Sequence, residues 1–229
     1  MMKRFLTLSL CLLILGASSV LSLLPAGEAD AALVTYQFSG NIGQVSGSLF
    51  TPTGLGANGF NAGLKMSGTY TFDPATVGLL PSGLGIQLYN GSVTDLNLSI
   101  GNYAAVLQGG GTNVTTMSNG ATSLYSVSLG TAGNLVKGFA PSLFSLNLAD
   151  ETGTAFSSVD LPGKPAPNLS SFNVNQWKLV FSNGAQLVGS LDSLKAVPLP
   201  ATALLFGAGL IGLVGLGSRG RLAGSLSKE

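Results

Sequence analysis

The chain predicts an all-β fold, an antiparallel β-sandwich of jelly-roll character, over residues 32–196. Three observations carry this. Apolar and polar residues alternate at period two in six separate segments, the pattern of sheets with one packed face and one wet face. Asn-Gly pairs stand beside these segments, where they supply hairpin turns. No 11-residue window of the region carries a convincing helical stripe, and no fixed-period repeat suggests a propeller or solenoid.

The segments follow in chain order. Val34, Tyr36 and Phe38 share one face, with Thr35, Gln37 and Ser39 on the other. Tyr70 and Phe72 alternate with Thr69 and Thr71, and Leu96, Leu98 and Ile100 with Asp95, Asn97 and Ser99. Tyr125, Val127 and Leu129 form a fourth set, Phe144, Leu146 and Leu148 a fifth, and Trp177, Leu179 and Phe181 a sixth. Asn183-Gly184 between WKLVFS and AQLVGSL is the strongest hairpin signal, and Asn119-Gly120 and Asn90-Gly91 are two more. Such pairs suit a type I′ turn, which needs positive φ at both central residues. Short helices fit near residues 73–80 and 132–138.

Both flanks read as targeting segments. Residues 1–31 have the layout of a signal peptide: Lys3 and Arg4, an apolar run, then Ala29-Asp30-Ala31 as the signal peptidase site. Residues 197–217 carry no charge, and 201–217 are continuously apolar or small. That length matches one transmembrane helix across a bilayer core of about 30 Å. Arg219 and Arg221 follow at once, which holds that end in the cytoplasm. Residues 222–229 are then a short cytoplasmic tail, and the domain at 32–196 lies outside the cytoplasm.

Composition excludes several function classes. Only 8% of residues are charged and the net charge is +1, so no basic nucleic-acid footprint exists. The sequence has no His, which removes imidazole bases, His metal ligands and the Ser-His-Asp triad. Its single Cys, Cys11, lies in the apolar leader. No intrachain disulfide or thiolate metal site can form.

The string Val197-Pro198-Leu199-Pro200, a Gly-rich apolar segment and then Arg219 and Arg221 resembles the PEP-CTERM sorting signal of Gram-negative bacteria. Leu199 stands where Glu gives that motif its name, and eight residues trail the basic pair. The region from TYQFSG (35–40) and GTYTFDPAT (68–76) to GTAFSSVDLP (153–162) is similar to a recurrent passenger of that family. The resemblance implies processing by an exosortase-type enzyme, after signal peptidase and the secretion machinery, and display on the cell surface or in a biofilm matrix beside exopolysaccharide. Leu199-Pro200-Ala201-Thr202-Ala203 also approaches the L-P-x-T-G box of sortase substrates, with Ala in place of the final Gly.

No catalytic residue is assigned and no cofactor is expected. The acids Asp73, Asp95, Asp150, Glu151, Asp160 and Asp192 sit in no local motif, so a hydrolytic carboxylate pair is the least favoured reading. Asp150, Glu151 and Asp160 are candidate calcium ligands, although they lack the EF-hand spacing. Two G-x-G-x-x-G matches, at residues 54–59 and 207–212, lack the strand–turn–helix context of a nucleotide site. Among Tyr89, Tyr103 and Trp177, Tyr89 precedes a turn and is the candidate sugar contact. Trp177 keeps step with Leu179 and Phe181 and belongs to the core. The expected function is a non-enzymatic surface or matrix protein; the alternative is a carbohydrate-binding module, calcium-assisted or not.

Overall fold

A computed structural model describes residues 32–52, 59–81, 83–109, 112–163 and 165–198. Ten strands run β1 (Val34–Val45), β2 (Lys65–Phe72), β3 (Ile86–Asn90), β4 (Val93–Ile100), β5 (Tyr103–Leu107), β6 (Asn113–Ser118), β7 (Ser123–Gly133), β8 (Pro141–Asp150), β9 (Val174–Phe181) and β10 (Gln186–Ala196). Among the described residues there is no α-helix. The regions 73–80 and 132–138 hold turns and strand, and one 3-10 turn lies at Leu169–Ser171.

The expected sandwich is not formed. Eight strands close into an antiparallel barrel in the cyclic order β1-β10-β9-β8-β7-β5-β4-β2. Strand β7 makes closure possible by dividing one of its edges. Its first half, Ser123–Ser128, pairs with β6, and its last residues, Thr131–Gly133, pair with β5. The other edge of β7 pairs with β8. Strands β6 and β3 form a flap that peels away from the barrel wall at β7.

Period-two alternation fits a sandwich and a barrel equally, because both bury one face of every strand. Closure depends on bending. The ladders slip between Ser39 and Gly40, Ile42 and Gln44, Thr71 and Phe72, and Pro141 and Leu143. Bulges of this kind sharpen twist and let a sheet curl onto itself.

All six alternating sets point inward and are buried. An eight-stranded barrel has an interior that side chains just fill, and two contacts across the lumen show this one filled. The rings of Phe38 on β1 and Phe144 on β8 stack at 5.4 Å. The hydroxyls of Tyr70 on β2 and Tyr125 on β7 hydrogen bond at 2.9 Å. Outward positions carry Thr35, Gln37, Ser67, Thr69, Asn97 and Ser99. This polarity is the reverse of a membrane-spanning barrel, whose outer wall is apolar.

Glycine gives the largest side chain its place. Gly40 and Gly189 both face the lumen beside Trp177, which is fully buried. A Cβ on Gly189 would come within 2.6 Å of the indole Nε1 and 2.0 Å of the Asn41 carbonyl oxygen. On Gly40 it would meet the Ser190 carbonyl oxygen at 2.1 Å.

Two of the three Asn-Gly pairs make hairpins. Asn183-Gly184 joins β9 to β10, and Asn119-Gly120 joins β6 to β7. Neither is type I′: Gly184 and Gly120 have φ of 78° and 79°, while Lys137 is the only described non-glycine residue with positive φ. At the first, the Gly184 N–H donates to the Phe181 carbonyl and the Phe181 N–H to the Ala185 carbonyl. This is a type I turn closed by a left-handed glycine. Asn90-Gly91 makes no hairpin, since β3 pairs with β6 and β4 with β2 and β5.

The two ends of the barrel differ. At one end β1 begins and β10 finishes, with Tyr36 paired to Ala196. The segment between β8 and β9 closes this end. The Tyr36 hydroxyl donates to the carbonyls of Pro162 and Gly163, each at 2.6 Å. The opposite end is closed by the segment between β1 and β2. There Leu49 and Phe60 are buried, and Phe60 meets Tyr103 edge-on at 5.5 Å.

Candidate functional site

The packed lumen leaves the outer wall as the surface on which a ligand can lie. Rows of short uncharged side chains cross it, one residue from each strand. Gln37 pairs with Thr69, Thr69 with Asn97, and Asn97 with Val106. Ser39, Ser67, Ser99 and Ala104 form the next row. An open groove of about 340 Å³ follows these rows, with Gln37, Thr69, Asn97 and Ser99 among its lining residues and no charged side chain. Hydroxyls and amides there both donate and accept hydrogen bonds. One neighbour already engages part of this capacity: the Asn97 amide donates to the Asp95 carboxylate at 2.9 Å.

The expected sugar contact at Tyr89 is corrected. Tyr89 is 6% exposed, and its hydroxyl donates to the Val159 carbonyl at 2.9 Å. Thr116 donates to the same carbonyl. Burial first, and the nearby Asp160 second, raise the Tyr89 pKa. Its ring is part of the closure between β3 and the β8–β9 segment and offers no stacking face. Tyr103 and Trp177 are buried as well.

The three calcium candidates do not come together; among the described residues no group of three or more acids is placed to hold a metal. Asp150 is buried, and its carboxylate is fully engaged. One oxygen accepts the Thr152 N–H at 2.9 Å and hydroxyl at 2.6 Å. The other accepts the N–H groups of Thr154 and Ala155 at 2.7 and 3.0 Å, and the Thr154 hydroxyl at 3.3 Å. Asp160 is exposed and accepts the Ser158 hydroxyl at 2.9 Å, and Glu151 is exposed. The remaining acids hold local structure: Asp73 accepts the Ala75 N–H at 2.9 Å, and Asp192 the Asn41 amide at 2.5 Å.

The hydrogen bonds from Thr152 lead those that hold the Asp150 carboxyl well below the usual carboxylate range. Its stabilising contribution is therefore in place above about pH 4 and is lost as pH falls below that value. Asp150→Asn replaces an acceptor with a donor toward the same N–H groups. The substitution is expected to lower the protection of the Thr152, Thr154 and Ala155 amides at neutral pH, relative to their intrinsic exchange rates, and to remove the loss of protection that Asp150 protonation brings in acid. Unchanged protection of these three amides would refute the account.

The sorting box begins at the barrel itself. The Val197 N–H donates to the Thr35 carbonyl at 2.8 Å, the last bond of the β1–β10 edge, and Pro198 is exposed beyond it. Leu199, Pro200, Arg219 and Arg221 lie outside the described residues, as do the expected membrane helix at 201–217, the tail at 222–229, and the leader with Ala29 and Ala31. Among the described residues no helix is long and apolar enough to cross a membrane.

Set against known proteins, the chain matches no protein-family profile, no curated protein and no solved structure. On its own geometry it is a closed antiparallel β-barrel with a packed interior and a neutral, polar outer wall.

Proposed function

We propose that the chain is an exported, non-enzymatic protein of the cell surface or biofilm matrix. An exosortase-type enzyme would cut it near Val197–Pro200, and its barrel wall would lie against a neutral exopolysaccharide. One observation carries the reading: the barrel ends at Val197 and the proline-spaced segment starts there. Proline keeps such a segment extended and removes backbone donors, so a processing enzyme can reach it without unfolding the barrel. The uncharged groove at Gln37, Thr69, Asn97 and Ser99 supports a polymer without charge, because the charges beside it, Lys195 opposite Gln37 and Asp95 against Asn97, are of opposite sign and give no net steering.

Intact masses of the protein from membrane, periplasmic and medium fractions test the sorting step. The expected result is a form outside the cell that has lost its C-terminal segment near residues 197–200. A full-length C-terminus confined to the membrane fraction would overturn it. Co-sedimentation with neutral polysaccharide is expected to be insensitive to salt, since no ion pairs are involved.

The groove at Gln37, Thr69, Asn97 and Ser99 supports a second reading, a carbohydrate-binding module with one defined site. Joint replacement of Gln37 and Asn97 by alanine separates the two. Loss of binding favours the module, and unchanged binding favours diffuse contact along the wall.

A further inference from the structure

The end of the barrel where β1 starts and β10 finishes carries an unusual apolar loop between β2 and β3. Val77 is 82% exposed, and Leu79 and Leu84 are each 60% exposed. Leu33 and Val174, also exposed, lie at the same end, just before β1 and at the start of β9. The loop is tied down. The Asp73 N–H donates to the Ser92 carbonyl at 2.9 Å, and the Leu79 N–H to the Leu88 carbonyl at 2.8 Å. The buried Gln87 amide clasps the Leu80 N–H and carbonyl at 2.7 and 2.9 Å. Backbone groups that could turn these side chains inward are thus already committed. No charged residue occurs between Asp73 and Asp95.

The chain leaves the barrel at this same end, at Pro198, and the apolar segment 201–217 begins three residues later. Three extended residues span at most about 11 Å. Wherever that segment enters lipid, this end of the barrel is held close to the bilayer surface. Three large apolar side chains exposed within eight residues of one another mark an interaction surface more readily than scattered ones do, and here the tether selects what they meet. We propose that Val77, Leu79 and Leu84, between β2 and β3, sit in the lipid interface, so that the barrel stands on the membrane in a fixed orientation until it is released. This rests on the reading that residues 201–217 anchor the chain in a membrane.

The test uses the processed chain from residue 32 onward, which lacks the apolar leader and with it the single native cysteine, Cys11, in phosphatidylcholine vesicles. An environment-sensitive fluorophore is placed at Leu84→Cys, and in a second variant at Leu135→Cys, exposed at the opposite end. Emission from position 84 is expected to shift to the blue and to be quenched by brominated acyl chains, with neither effect at position 135. If the chain floats with vesicles at high salt while the probe at 84 stays water-like, the seat is overturned and the anchor stands. If the chain does not float, the anchor reading fails and the seat with it. A blue shift without bromolipid quenching assigns the loop to a protein neighbour and overturns the lipid assignment.

Discussion

Replacing Trp177 with alanine is expected to cost about 3–5 kcal/mol, the usual range for deleting a buried aromatic side chain. At about 2–4 °C per kcal/mol for a domain of this size, the melting temperature falls by about 6–20 °C. The residue is fully buried, and its indole takes the space that Gly40 and Gly189 leave open in the wall. Nothing nearby can collapse into the gap easily, because strand backbones form its sides. The indole Nε1 is buried without a hydrogen-bond partner, so the alanine variant also sheds an unpaired donor, which offsets part of the loss. Trp177→Phe keeps most of the ring and removes the same donor, and is expected to cost clearly less than alanine. Thermal unfolding followed by circular dichroism decides the matter. A loss below about 1 kcal/mol would mean the interior is not the close-packed body described above.

The second large effect is at alkaline pH. All five tyrosines are interior, at positions 36, 70, 89, 103 and 125. Burial raises every one of their pKa values, Tyr103 to about 12, Tyr36 and Tyr125 further still, and Tyr70 well above its ordinary value. The hydrogen bond between Tyr70 and Tyr125 raises the Tyr70 value further and lowers that of Tyr125, where burial still prevails. The folded values lie above the unfolded value of about 10, so the stability these groups contribute is complete below pH 10. It drains away as pH rises from there through the folded values. A free tyrosine is about nine-tenths ionised at pH 11. The native protein should show little tyrosinate absorbance at that pH, then a step that coincides with loss of the β-sheet circular dichroism signal. A smooth titration centred near pH 10, with the sheet intact, would contradict the burial of the five rings.

These two effects depend on which residues face inward, and that much was legible from alternation alone. The six apolar sets all reached the lumen because a strand has no freedom to turn one side chain out of step. Closure was not legible. It depends on β7 dividing one edge between β6 and β5, a pairing more than twenty residues apart that leaves no local mark. Inward glycines hid part of the pattern too. Gly40 interrupts the apolar face of β1, so the strand reads as ending near Phe38 although it runs to Val45. Tyr89 precedes the Asn90-Gly91 pair, and a place before a turn suggests exposure, but its face of β3 is covered together with Gln87. That glutamine is buried because its amide is consumed by the Leu80 backbone, a contact made by a loop and not by a strand. The candidate calcium ligands failed on chemistry that spacing does not reveal, since Asp150 spends its oxygens on its own following residues.

The pairing of β1 with β10 has a consequence in time. The first strand of the domain rests one edge on β2, its near neighbour, and the other on the last strand, with Gln37 against Lys195. While a chain emerges end first, that second edge stays bare until nearly every residue has appeared. A bare strand edge invites pairing with other chains, and contacts this distant in sequence form slowly. Until β10 arrives the chain is an open sheet with a vulnerable border, and the step that seals it also brings Val197 to rest beside Thr35. Completion of the barrel and presentation of the segment that follows it are thus one event.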